Sequence, residues 1–247
     1  MSGLEGLREW LRVPRSLSLP AWVSARLGTN VACELEARRG LLLERAVFAI
    51  VDLETTGLSP VHSRILEIGA VVLRGAEVLA RFETLVDVGQ PLPWGIVALT
   101  GIRDELLAGA PREEEALASF AALLERHRVD AVVAHNARFD RGFIARAWRA
   151  HARSEPLPLF LCSVVAARRL VRAPRYGLDA LVAQLSIPHR ARHRALGDAE
   201  MTADLWIELV GRARVEGIHT LESLQGLAGL RAPGPARRRV HVVEVHA

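Results

Sequence analysis

The sequence predicts an α/β fold, a mixed β-sheet with helices on both faces, preceded by an N-terminal helical extension. Three observations predict it. Apolar spacing is helical up to about residue 45 and turns strand-like at 46. Three strand-like runs then follow one another directly. After them, short apolar runs alternate with longer stretches of helical period, the order expected when helices cross over between strands of one sheet.

The elements follow in order. In residues 1–45, "LPAWVSARLGTNVACELEARRG" sets Trp22, Leu27, Val31 and Leu35 at helical spacing, and Gly40 suits the end of that helix. With Pro14 and Pro20, this extension reads as packing or partner surface. Strands are expected over 46–53, 64–75 and 77–87, with Gly75-Ala76 as a hairpin turn. "GQPLPWG" is a proline-rich loop and Thr100 to Leu107 a short helix. Residues 112–128, "REEEALASFAALLERHR", form a helix with acids at its start and bases at its end, as the helix dipole favours. Leu117, Phe120, Ala121 and Leu124 are its apolar stripe. "AVVAHN" at 131–136 is a buried strand, and Asn136 suits the N-cap of a helix running through "ARFDRGFIARAWRA". "LPLFLCS" is the last core strand, followed by helices near 163–171, 178–185 and 197–216. After Leu230 the chain reads "RAPGPARRRVHVVEVHA", a linker and then a basic, valine-rich tail. The expected division is a helical extension at 1–45, a central domain at 46–216, and a C-terminal segment with its tail at 217–247.

Composition sets bounds. A chain of 247 residues, half of them hydrophobic, is long enough for one sizeable core. No apolar run approaches the roughly 18 residues of a membrane span, and "MSGLEGLREWLRVPRS" lacks a signal-peptide core. A cytoplasmic location without membrane contact is the expectation. Cys33 and Cys162 are far apart and in no metal spacing, so two reduced thiols are the plainer state. The chain has no lysine, so all 32 Lys+Arg residues are arginine, and the formal charge is +4. Codon bias in a GC-rich genome is the plainer explanation of the arginines, with a functional reason as the alternative; the basic excess permits an anionic partner without requiring one.

The acids carry the chemistry. In "AIVDLETTGLSP", residues 49–60, an apolar strand ends in Asp52 and Glu54. Side chains two apart on a strand share a face, so both carboxylates point the same way at the strand's C-terminal end, where open α/β sheets place sites. A hard divalent cation would relieve their repulsion; strand-end acids can also simply face water. Asp140 in "HNARFDRGF" lies about one turn into a helix whose Phe139, Phe143 and Ile144 face the core. It is either a ligand or the partner of Arg141 or Arg146. In "RHRALGDAEMTADLW", Asp198 at a helix start is a cap or a ligand, and the loop residue His193 is a solvated histidine or a proton acceptor near neutral pH.

"VDLETTGL", "HNARFDRGF" and "HRALGDAE" together resemble the three motifs of the DEDD superfamily, the DnaQ-like 3′–5′ exonucleases. The spacing from His193 to Asp198 resembles the histidine branch, DEDDh. "LVDVGQPLPWGIVALTGIRDELLAGAP" resembles the stretch between the first two motifs in the proofreading (epsilon) subunit family of bacterial DNA polymerase III. The likeness covers about 46 to 212.

The resemblance implies a ribonuclease H-like sheet, and Asp52, Glu54, Asp140 and Asp198 as ligands of two Mg²⁺ or Mn²⁺ ions, with Asp52 bridging them. It implies His193 as general base toward the attacking water. Thr55, Thr56, Gly57 and Leu58 would lie against the terminal nucleotide; Gly57 reads equally well as no more than a turn residue. The family's Glu and His ahead of a loop Gly-Ile fall here on Gly95 and Thr100, a departure that bears on contacts to the 3′ end. Arg138, Arg141, Arg190, Arg192 and Arg194 lie near the motifs, as guides for a nucleic-acid backbone or as ordinary surface. The implied activity is two-metal-dependent 3′–5′ hydrolysis of single-stranded DNA ends to nucleoside 5′-monophosphates, in proofreading or repair. The alternatives are an exoribonuclease acting on RNA 3′ ends, and a subunit whose main task is docking on a DNA polymerase.

Overall fold

In a computed structural model of the chain, residues 40–151, 156–188 and 194–230 are described. The helical extension up to residue 39, Cys33, His193, Arg190, Arg192 and the tail after Leu230 lie outside them.

Five strands form one sheet: β1 (Val47–Thr55), β2 (Ile65–Arg74), β3 (Glu77–Leu85), β4 (Ala131–Ala134) and β5 (Phe160–Cys162), in the order β3-β2-β1-β4-β5. β1, β2 and β3 pair antiparallel, while β4 and β5 run parallel to β1. The β2–β3 hairpin turns at Gly75, whose φ of 57° is easy only for glycine. The sheet is thus the mixed, ribonuclease H-like one expected, and helices cover both faces.

The helices are α1 (Trp94–Thr100), α2 (Asp104–Leu107), α3 (Glu113–Arg126), α4 (Arg138–Ala150), α5 (Ser163–Leu170), α6 (Leu178–Gln184), α7 (Ala195–Val215) and α8 (Leu221–Ala228). Among the described residues, none is long and apolar enough to cross a membrane. Two expectations need correction. The helix expected over Thr100 to Leu107 is confined to α2, Asp104–Leu107; α1 is a separate helix that begins at Trp94, inside the expected proline-rich loop, and ends at Thr100 because Gly101 takes a left-handed φ of 70°. The Thr100 hydroxyl donates to the Ile96 carbonyl and accepts from the Ile102 N–H, closing the break. Asn136 is not the cap of α4. It takes φ 69° in the turn after β4, and Ala137 precedes the helix.

Alternation along β1 divides the core. Phe48 and Ile50 face α5, α6, α7 and α8, and Phe48 meets Trp206 of α7 edge-on at 5.6 Å. Val47, Ala49, Val51 and Leu53 face α3 and α4, with Phe120, Phe143 and Ile144. Burial on both faces explains the unbroken apolar run in the sequence. Asp52 and Glu54 continue the even-numbered series, so they emerge on the α7 face. The β1–β4 pairing ends at Ile50↔Val133, and beyond it the edge of β1 is open to side chains from the loops and helix starts.

Candidate active site

The cross-strand partner of Asp52 is Gly69 on β2. A Cβ at Gly69 would lie 2.2 Å from the Ala195 carbonyl carbon and from the Leu196 nitrogen. The first turn of α7 therefore rests directly on the sheet, and only a residue without a side chain permits that approach. Asp198 follows Ala195 by about one helical turn and meets the strand-end acids. Carboxylate oxygens of Asp52, Glu54 and Asp198 all lie within 4.8 Å of one another. Asp52 and Glu54 are half-buried, and Asp198 is buried. Asp198 is not the cap: Arg194 holds that position, and the Asp198 N–H donates to the Arg194 carbonyl at 3.1 Å.

Asp140 approaches from the other side of the sheet, in the first turn of α4, 2% exposed. The backbone N–H groups of Asp140 itself and of Leu53, the latter on the stretch of β1 that β4 leaves unpaired, favour the charged form of its carboxyl. Burial outweighs the pull of the two N–H groups and, with the charge of Glu54 adding to the rise, leaves this carboxyl raised to about 7. Asp140 therefore stands beside Glu54, outside the tight group of three. It does not pair with Arg146, which binds Glu113 through Nη1–Oε2 at 2.9 Å and through a second contact, Nη2 to Oε1. Arg141 is exposed.

A buried acid anchors the start of α7. Glu67, the cross-strand partner of Glu54, accepts from Arg194 Nε at 3.0 Å, from Arg194 Nη2 at 2.6 Å and from the Ala195 N–H at 2.9 Å. Arg194 also reaches Glu83 at 3.1 Å. Burial raises the Glu83 carboxyl and Glu67 raises it further, against the opposing charge of Arg194. The Glu67 hydrogen bond, joined by the charges of Glu67, Glu83 and Glu54, outweighs burial and holds Arg194 firmly protonated. Farther along, Arg81 pairs with Glu200 at 2.7 Å. Sequence reasoning grouped Arg194 with backbone-guiding or surface arginines and passed over Glu67. The signal for Glu67 is a lone acid inside an apolar strand, "RILEIGAVVL", two residues before the glycine that α7 touches.

The β1–β2 loop carries the predicted nucleotide contacts. The Thr55 hydroxyl donates to the Gly57 carbonyl at 2.7 Å. Thr56 accepts from the Arg64 N–H at 2.9 Å through its hydroxyl and donates its own N–H to the Arg64 carbonyl. A Cβ on Gly57 would sit 2.7 Å from Ser63 Oγ, so glycine here serves the packing of the loop. Pro60 leans on Gly142 of α4, where a Cβ would be 3.4 Å away. Leu58 is left 87% exposed. Gly95 has open space around it, and Thr100 is occupied in closing α1.

Can these residues hold a cation? Three carboxylates offering oxygen ligands within a few ångströms, on a rigid strand and a helix start, are the donor set that hard divalent ions take. The residues fit the group.

Residues 49–206 match the RNase T exonuclease family. A Mycobacterium tuberculosis protein described as a bifunctional exonuclease/endonuclease is 37% identical over 193 residues, 74% of this chain and 29% of that protein. The PolC-type DNA polymerase III of Bacillus subtilis is 32% identical over 185 residues, 74% of this chain and 13% of the polymerase. The chain thus spans less than a third of the length of these relatives. Among solved structures, Exonuclease X in complex with 5′-overhanging duplex DNA aligns with a TM-score of 0.57 at 26% identity, covering 74% of this chain and 99% of that one. The nuclease domain of 3′hExo, a DEDDh family member bound to rAMP, aligns with a TM-score of 0.61 at 16% identity, over 68% of this chain and 92% of that one. At that identity the likeness shows the fold alone.

Proposed function

This chain belongs to the RNase T exonuclease family, within the DEDD-type 3′–5′ exonuclease superfamily, and from that premise we propose that it removes nucleoside 5′-monophosphates from single-stranded DNA 3′ ends with two divalent cations, Mg²⁺ or Mn²⁺. The observation that carries this is the convergence of Asp52, Glu54 and Asp198, their oxygens within 4.8 Å of one another, with Asp140 buried beside Glu54.

In this proposal Asp52, Glu54, Asp140 and Asp198 hold the ions. When bound, two such ions offset the charge that in-line phosphodiester displacement puts on the attacking and leaving oxygens. His193, which lies outside the described residues, accepts the proton of the attacking water. The loop of Thr55, Thr56, Gly57 and Leu58 borders the terminal nucleotide: the two threonines and the glycine keep its shape, and the exposed Leu58 lies against the base. Stacking and phosphate contacts give weak sequence preference. DNA is favoured as substrate by the polymerase relative and by the DNA-bound Exonuclease X. Association with a DNA polymerase, in proofreading or repair, belongs to the same proposal.

The test is direct. With Mg²⁺ or Mn²⁺ the protein shortens a 5′-labelled single strand stepwise, and EDTA stops it. Asp52→Ala abolishes cleavage while circular dichroism shows the fold retained; a variant that cuts as fast as wild type overturns the assignment. Faster cleavage of a matched RNA oligomer would move the substrate to RNA.

A further inference from the structure

We propose that Glu67 is a positioning residue for the carboxylate cluster: from inside the sheet it fixes the start of α7 and so sets where Asp198 meets Asp52 and Glu54. The inference rests on the metal-binding reading of those three residues. A helix start leaves backbone N–H groups without partners, and an N-cap side chain ordinarily supplies one. The N-cap of α7 is Arg194, whose side chain makes no such bond. Glu67 takes over from the neighbouring strand, accepting the Ala195 N–H at 2.9 Å. The same carboxylate holds the Arg194 guanidinium through two nitrogens, at 3.0 and 2.6 Å, so two successive residues at the helix start are tied to one side chain.

That side chain is 0% exposed. A buried carboxylate is costly unless paired and hydrogen-bonded, and the donors Glu67 finds are directional, which fixes the helix as well as compensating the charge. The register supplies the reference frame. Gly69 stands opposite Asp52 and Glu67 opposite Glu54. The strand that receives α7 is therefore paired, residue for residue, with the strand that carries the two acids. Gly69 sets how closely the helix start approaches the sheet, and Glu67 sets where along the sheet it sits.

Two other roles are separable from this one. A merely structural Glu67 would lower the unfolding temperature of its variants without changing cation affinity in the folded protein. A purely electrostatic Glu67 would lose affinity equally in Ala and Gln variants, since both remove the charge. Positioning predicts a split, because the Gln amide oxygen can still accept the Ala195 N–H.

The experiment measures Mn²⁺ binding to the full chain, without nucleic acid, from the electron paramagnetic resonance signal of free Mn²⁺, well below each variant's unfolding temperature. Glu67→Ala is expected to weaken binding on the order of tenfold or more, the usual effect of removing a group that orients a metal ligand. Glu67→Gln should stay within about threefold of wild type. An Ala variant that binds like wild type overturns the proposal, as does a Gln variant as weak as Ala. Should Glu67→Ala not fold, Glu67→Asp replaces it: its shorter carboxylate falls short of Ala195, so about tenfold weaker binding supports positioning and unchanged binding overturns it. A wild-type protein that binds no Mn²⁺ overturns the metal-site reading itself, and this inference with it.

Discussion

Three carboxylates at the spacing of Asp52, Glu54 and Asp198 repel one another by about 3–4 kcal/mol per pair at an effective dielectric constant near 20. That cost, borne when all three are ionised, is the physical argument behind the proposed cation site. Leu58 raises the opposite question, an apolar side chain 87% exposed on the loop that leaves β1. If it lies against the terminal base, Leu58→Ala removes about 1 kcal/mol of contact and raises KM for single-stranded DNA roughly fivefold. kcat should hold within about twofold, since the lost contact is made equally in the ground state and the transition state. The unfolding temperature should not move. An unchanged KM would mean that the loop faces away from the substrate. At this scale the sequence was most readable where one period decides the outcome. Asp52 and Glu54 had to share a face because strand side chains alternate. The placement of Asp140 was less readable, because it depends on the β1–β4 pairing stopping at Ile50 and leaving the Leu53 N–H to the carboxyl.

Elements are fastened to one another by a few charged groups in partly buried places. Glu113, at the start of α3, holds Arg146 of α4 through both carboxylate oxygens, and His151 Nε2 lies 3.3 Å from one of them. Burial pushes the Glu113 carboxyl up, but the hydrogen bonds and charge of Arg146, helped by His151, hold it below the ordinary carboxylate range. A carboxyl lowered by folding adds stability at pH above its unfolded value, and that stability disappears as pH falls through the folded value. Glu113→Gln should therefore cost about 2 kcal/mol at pH 7. The difference from wild type should shrink below about pH 4.5 and vanish at lower pH. Unfolding temperatures of both proteins across pH 3–7 check this, and a difference that does not change with pH would contradict the pairing. Strands and long helices were legible because period and turn residues agreed, as at Gly75. The break between α1 and α2 was not, since a left-handed Gly101 looks in sequence like any glycine within a helical stretch. The same holds for Asn136, whose side chain suits a cap while its backbone adopts a left-handed turn instead.

At the scale of the whole molecule, the far ends of the described chain are held together. The Leu43 N–H donates to the His219 carbonyl, and the Leu221 N–H to the Leu41 carbonyl, each at 2.9 Å. Leu42 bridges to Thr220, and Gly229 bridges to Leu161 at the β5 edge of the sheet. Between these ties α8 packs on α5 and β5, and Leu221, Leu224, Leu227 and Ala228 join the same apolar cluster as Phe48, Ile50 and Trp206. The apolar spacing of these residues was there in the sequence, but the surface they bury against, made by α5, the β5 edge and the 41–43 segment, comes from parts of the chain distant in sequence. If α8 completes that core, Leu224→Ala should leave a cavity costing about 2–4 kcal/mol, because Leu224 is 1% exposed. In a domain of this size that corresponds to roughly 5–15 °C in unfolding temperature. An appendage that merely rests on the surface would lose a few tenths of a kcal/mol instead, with no measurable shift in the transition. The two outcomes differ enough that a single pair of melting curves decides whether the α7-side core ends with α7 or runs on through α8.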